Sequence, residues 1–197
     1  MSPHASSFAI DVPAALLARV RQGEHGAFEQ VYRWFERPVY TLALRICGER
    51  EQAADVLQDT MLKVFDRIGE FRGTSPFWGW LRQIAVNEAL MSMRRRRRLE
   101  DGLVADDGGD AFDAIDDATP PPPAAADAAL LQRTLDALPA ATRTVLWLYH
   151  GEGYTHAEIA ALMQRTESFS KTQLFRGTRR LRALLVDAPV FREAAHG

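Results

Sequence analysis

Cysteine is almost absent: Cys47 is the only one in 197 residues. A lone thiol cannot close an intramolecular disulfide, and it excludes a cysteine-based zinc site. Long apolar runs are missing as well. Met1 to Ile10 has no basic opening and no extended hydrophobic stretch, so no signal peptide is expected. No segment has the length and apolarity to cross a bilayer, so no membrane insertion is expected. Both absences point to a reducing, cytoplasmic setting. No segment alternates apolar and polar residues as a half-buried strand does, and no internal repeat is visible. The five histidines are scattered, and no nucleophile–base pair or ligand cluster stands out. The chain therefore reads as a non-enzyme with no catalytic residue, no metal and no cofactor.

Basic residues are missing from one place only. Residues 99–129 carry 9 acids and no Lys or Arg. Residues 1–98 carry 15 bases against 11 acids, and residues 130–197 carry 9 against 6. The formal net charge of -2 averages over two mildly basic units and hides them. Local sign matters more than the total, because charge is screened within about 8–10 Å at physiological salt.

The acidic stretch 100–126, with Asp106-Asp107-Gly108-Gly109-Asp110 and Pro120 to Pro123, cannot bury enough apolar surface to offset its ordering entropy. It reads as a linker between a domain over 1–99 and another over 127–197. It would serve either as a tether or as an acidic arm competing with DNA for the basic faces.

What is abundant is helical periodicity, and the fold class expected is all-α. Pro13 opens a helix through about Gln22. Ala27, Phe28, Val31, Tyr32 and Phe35 recur at helical spacing, as do Leu42, Leu44 and Ile46 after Pro38, until Gly48 ends the element. From Glu51 to Ile68 the apolar side holds Val56, Leu57, Met61, Val64, Phe65 and Ile68. Gly69 and Gly73 bracket a loop, after which Ser75 caps a helix starting at Pro76. That helix buries Leu81, Ile84, Ala85 and Leu90 and runs into Arg94 to Arg98. Leu130, Leu131, Leu135 and Leu138 form a further helix, and Pro139 starts another that Gly151 and Gly153 stop.

The firmest feature lies between Tyr154 and Leu185. Thr155-His156-Ala157-Glu158 is a capping box opening a short helix. A polar turn, Gln164 to Ser168, leads to a long helix from about Phe169 to Val186. Leu174, Leu181, Leu184 and Leu185 share one arc of it. Lys171, Thr172, Phe175, Arg176, Arg179, Arg180 and Arg182 share the other. Short helix, turn, long basic helix is the helix-turn-helix pattern. Its cations can neutralise phosphates, and Thr172, Gln173 and Arg176 can reach base edges.

Taken together, three stretches resemble the extracytoplasmic-function sigma factors, the minimal two-domain class of bacterial sigma subunit. They are Asp55-Val56-Leu57-Gln58-Asp59-Thr60; the run from Phe71 through Leu81 with Ile84, Ala85, Asn87 and the arginines; and Leu138-Pro139 followed by Gly153 to Ala160 and the basic helix. The resemblance implies two helical domains, sigma2-like and sigma4-like. Asp55, Gln58 and Asp59 would dock on the clamp helices of core RNA polymerase in the bacterial cytoplasm, with the polymerase flap as a further contact. Phe71, Arg72, Thr74, Ser75, Trp78, Asn87, Arg94 and Arg95 would recognise and melt the minus-ten element of promoter DNA, while Phe77 and Trp80 read as core. Ser168, Lys171, Thr172, Gln173, Arg176 and Arg179 would bind the minus-thirty-five element.

This chain departs from the family pattern in two places. Gln52, Ala53 and Ala54 stand where acids usually precede the equivalent of Asp55. Family members with so depleted a helix are similar to a group controlled by Ser/Thr kinases, and Glu167 to Leu174 resembles the same group. Position 51 then reads as a charge switch, with Glu51 a native acid or a stand-in for a phosphothreonine, and Thr60 as a second phosphosite. A kinase or an anti-sigma factor is the regulatory partner implied. Met91, where many relatives are polar, reads as extra packing. A helix-turn-helix regulator that binds duplex DNA without polymerase is the alternative, but it needs no Phe-Arg-Gly loop.

Overall fold

The structure is a computed structural model that describes residues 10–103 and 132–186; side chains are described for 10–99 and 132–184. The chain divides into two compact units, one on each side of the Val104–Ala105 bond. Every regular element among the described residues is helical. The stretch 104–126 of the acidic segment lies outside the described residues, as do Leu130 and Leu131.

The first unit holds α1 (Ala14–Arg21), α2 (His25–Cys47), α3 (Arg50–Arg67), a 3-10 turn (Ile68–Glu70) and α4 (Phe77–Leu103). Pro13 precedes the first turn of α1, where its missing N–H costs nothing. Pro38 does not divide α2, which runs through it as one helix. Gly48 ends α2 at φ 83°, a left-handed position that glycine takes without strain. The core gathers where α2, α3 and α4 meet. Phe35, Ile46, Val56, Val64 and Leu81 are among its fully buried side chains. Arg94 to Arg98 continue α4, and its last turn extends four residues past Leu99.

The second unit holds α5 (132–136), α6 (Ala140–Leu146), a π-turn (Trp147–Gly151), α7 (His156–Met163) and α8 (Glu167–Val186). Leu135, Leu138 and Leu146 form a core that Leu174, Leu181 and Leu184 of α8 pack against. The π-turn fixes Gly151, since a Cβ there would lie 2.9 Å from the Trp147 ring.

Candidate nucleic-acid interface

Backbone geometry begins the first site. The 3-10 turn delivers Phe71, whose N–H donates to the Ile68 carbonyl at 3.3 Å. The Phe71 ring meets Phe77 edge-on at 5.3 Å and lies 5.5 Å from Trp80, while Trp78 stacks on Phe35 at 5.9 Å. This cluster anchors both ends of a loop whose middle, Arg72 to Pro76, is exposed, with Gly73 turning at φ 72°. Two expectations change. Phe71 and Trp78 are each 6% exposed, so their rings hold the loop from beneath and offer no stacking face. Each ring is held against aromatic neighbours, Phe77 and Trp80 for Phe71 and Phe35 for Trp78. Arg72, Thr74 and Ser75 remain outward. Pro76 sits one residue ahead of α4, so the helix opens at Phe77.

Along α4, Asn87 is exposed beside an open groove of about 520 Å³, lined also by Lys63, Asp66, Arg67, Met91 and Arg94. In its wall Lys63 Nζ donates to the buried Glu88 at 2.6 Å. Neither the pair nor the groove was legible from spacing alone, because Lys63 and Glu88 lie on different helices. Met91 is 43% exposed on the groove and adds no core packing. Arg95, Arg97 and Arg98 are exposed, while Arg96 pairs with Glu49.

The second site is the outer face of α3. Glu51, Ala54, Asp55 and Gln58 are exposed, and Asp59 is half-buried. Leu62 is 56% exposed, one turn beyond Gln58. Gln52 donates to Ser92 Oγ on α4 at 2.9 Å and so faces inward. Thr60 is fully buried, and its hydroxyl has no partner among the described residues. That overturns the reading of Thr60 as a phosphosite: a kinase cannot reach it, and a phosphate has no room there. The spacing held the signal, since Thr60 lies four residues from both Val56 and Val64.

In the third site Glu158 N–H donates to Thr155 Oγ1 at 3.2 Å and Thr155 N–H to Glu158 Oε2 at 2.8 Å, closing the expected capping box on α7. Gln164 takes the left-handed turn at φ 55°. Thr166 then caps α8 through the Phe169 N–H at 3.1 Å, so the helix begins at Glu167 and not at Phe169. A Thr ahead of Glu at an N-terminus was the missed signal.

Around α8 the faces separate. Ser170 is buried, 2.9 Å from His156 Nδ1 on α7. Gln173 is half-buried towards α6, where Thr142 Oγ1 donates to its Oε1 at 2.6 Å, so the carbonyl end of this amide is engaged within the unit. Ser168, Lys171, Thr172, Arg176 and Arg179 are all exposed on the opposite side. Phe175 is 70% exposed among them, an apolar contact surface within a basic face.

Among the described residues there is no cluster able to hold a metal ion, and no helix is long and apolar enough to cross a membrane. The family model for sigma-70 region 2 matches residues 31–99, and that for sigma-70 region 4 matches residues 128–181. The RNA polymerase sigma-H factor of Pseudomonas aeruginosa is 30% identical over 186 residues, covering 91% of this chain and 95% of its own. The ECF RNA polymerase sigma-E factor of Haemophilus influenzae is 31% identical, covering 82% of this chain and 89% of its own. The ECF sigma factor SigM of Mycobacterium tuberculosis is 30% identical, with 87% and 84% covered. A similar fold occurs in the sigma factor RpoE of Bartonella quintana, solved with the anti-sigma factor NepR. The TM-score is 0.53 at 24% identity, covering 82% of this chain and 98% of that one. With relatives of this kind aligned along nearly its whole length, the chain belongs to the extracytoplasmic-function RNA polymerase sigma factors.

Proposed function

We propose that this promoter-specificity subunit divides its work among three surfaces in two units. The outer face of α3, with Asp55, Gln58 and Asp59 around the exposed Leu62, docks on the clamp helices of core polymerase. Its acids suit a basic partner and steer the encounter. The loop Arg72–Ser75, with Asn87 and the exposed arginines of α4, engages the minus-ten element. The outer face of α8, with Ser168, Lys171, Thr172, Phe175, Arg176 and Arg179, engages the minus-thirty-five element. Residues 1–99 and 127–197 are the two working domains. The protein acts without bond chemistry of its own, in the bacterial cytoplasm where the polymerase is.

The observation that carries this reading is the exposed, polar 72–76 loop held on a buried aromatic cluster. A regulator that only binds duplex DNA has no use for such a loop. Captured single-stranded bases need polar edges presented from a rigid support.

Glu51, in the first turn of α3 and exposed, is the charge switch in this reading. It supplies the negative charge that the exposed Ala54 does not, Ala53 being buried and Gln52 turned to Ser92. A Ser/Thr kinase would act here only on a threonine in place of Glu51; in this chain an anti-sigma factor covering α3 would regulate docking.

Photocrosslinking from positions 74 and 176 of the holoenzyme on promoter DNA tests the division. Position 74 is expected to label the non-template strand at minus ten, and position 176 the duplex near minus thirty-five. Labelling by position 74 of upstream duplex alone would refute it.

A further inference from the structure

Phe71 opens the promoter loop, and three of its groups are fixed by three different elements. Its ring sits against Phe77 and Trp80 of α4. Its N–H donates to Ile68 in the 3-10 turn. Its carbonyl accepts from Arg21 Nη2 at 2.7 Å, across 50 residues of sequence. Arg21 is the last residue of α1, and the region-2 family match begins only at residue 31.

The carbonyl of Phe71 and the N–H of Arg72 share one rigid peptide plane. Fixing that oxygen fixes the direction in which the exposed segment Arg72–Pro76 leaves the core. The left-handed turn at Gly73 then sets where Thr74 and Ser75 stand. A guanidinium suits the task. It is always charged, its donors are planar and directional, and its place at the C-terminus of α1 is favoured by the helix dipole. α1 itself cannot drift, because Leu16, Leu17 and Val20 are buried. Its only polar reach to the loop among the described residues is this bond.

We infer that Arg21 is a positioning residue for promoter opening: it holds the Phe71–Arg72 peptide so that the 72–76 loop is set before DNA arrives. The inference rests on the reading of that loop as the minus-ten contact. Arg21 touches no DNA in this account. Its effect on opening is the cost of a loop that must be ordered during binding instead of beforehand.

The test uses holoenzyme reconstituted from core polymerase and the full chain, on a promoter first selected by run-off with the unsubstituted holoenzyme. Arg21→Ala, Arg21→Lys and the loop variant Arg72→Ala/Thr74→Ala/Ser75→Ala are compared. The readouts are core affinity, thermal melting of the free chain, and permanganate reactivity of minus-ten thymines. Arg21→Ala is expected to lower open-complex formation about three- to tenfold, the worth of one such hydrogen bond. Core affinity should stay within twofold, and melting should fall by no more than the few degrees that one hydrogen bond is worth. Arg21→Lys, which keeps one cationic donor, should recover part of the loss. Equal losses of melting temperature, core affinity and opening in Arg21→Ala would overturn the inference in favour of a merely structural role. Normal opening in Arg21→Ala with defective opening in the loop variant would overturn it while leaving the loop's role intact. Normal opening in the loop variant would overturn both.

Discussion

Gly177 of α8 lies so close to Thr142 of α6 that a Cβ on it would stand 2.6 Å from Thr142 Cγ2 and 2.7 Å from Leu146 Cδ1. The recognition helix is thereby seated at one depth on the second unit. Gly177→Ala must push α8 outward or force Leu146 off its rotamer. The expected loss is about 1–3 kcal/mol of stability in this unit, together with weaker duplex binding. Thermal melting of the full chain and band-shift on minus-thirty-five DNA check it; an unchanged melting profile would show that the contact relaxes freely.

On the same helix, Gln173 and Arg176 make opposite predictions. Gln173 is half-buried and tied to Thr142, so Gln173→Ala should destabilise the unit while leaving base preference unaltered. Arg176 is exposed on the outer face, so Arg176→Ala should relax preference at one base pair by about 1–3 kcal/mol. Binding measured against a panel of single-base variants separates the two.

The proposed charge switch at the start of α3 makes a further prediction. Glu51→Ala and Glu51→Thr are expected to weaken core affinity about twofold to fivefold, the range of an exposed charge facing an opposite charge, and the difference should shrink with added salt. Equal affinities at low salt would end the charge-switch reading. Thr60→Glu, in contrast, places a carboxylate in the core, so it should cost about 3–5 kcal/mol of stability and not mimic activation.

Hydrogen bonds from Arg67 hold the Glu70 carboxyl below its ordinary value of 4.5, as Arg19 does for Glu24. A carboxylate depressed in the folded state stabilises above its unfolded pKa, and the stabilisation is lost as pH falls through the lower folded value. Both pairs are exposed, so the effect is small. The melting-temperature gap between the protein and Glu24→Gln/Glu70→Gln should be open at pH 7 and narrow towards pH 3. A gap that widens on acidification contradicts the assignment.

Periodicity made the helices legible, and the Thr155 capping box was legible residue by residue. Contacts between elements were not. The Lys63–Glu88 pair, the Thr142–Gln173 bond and the Arg21 contact each join distant positions that no local pattern connects. Pro38 looked like a boundary, but α2 runs through it, with Val39 and Phe35 buried on either side. Phe71 and Trp78 carried the right chemistry for base stacking, yet aromatic rings beside one another bury themselves first. Thr60 was misread because a hydroxyl was weighed as polar, although its spacing put it in the core.

This chain gives core polymerase a promoter preference. Run-off transcription with purified core polymerase on a promoter-bearing fragment library tests it most directly. Discrete run-off products are expected that require the chain and vanish with the Asp55→Ala/Gln58→Ala/Asp59→Ala variant. Discrete products absent, with the chain nonetheless binding the same duplex alone, would contradict it.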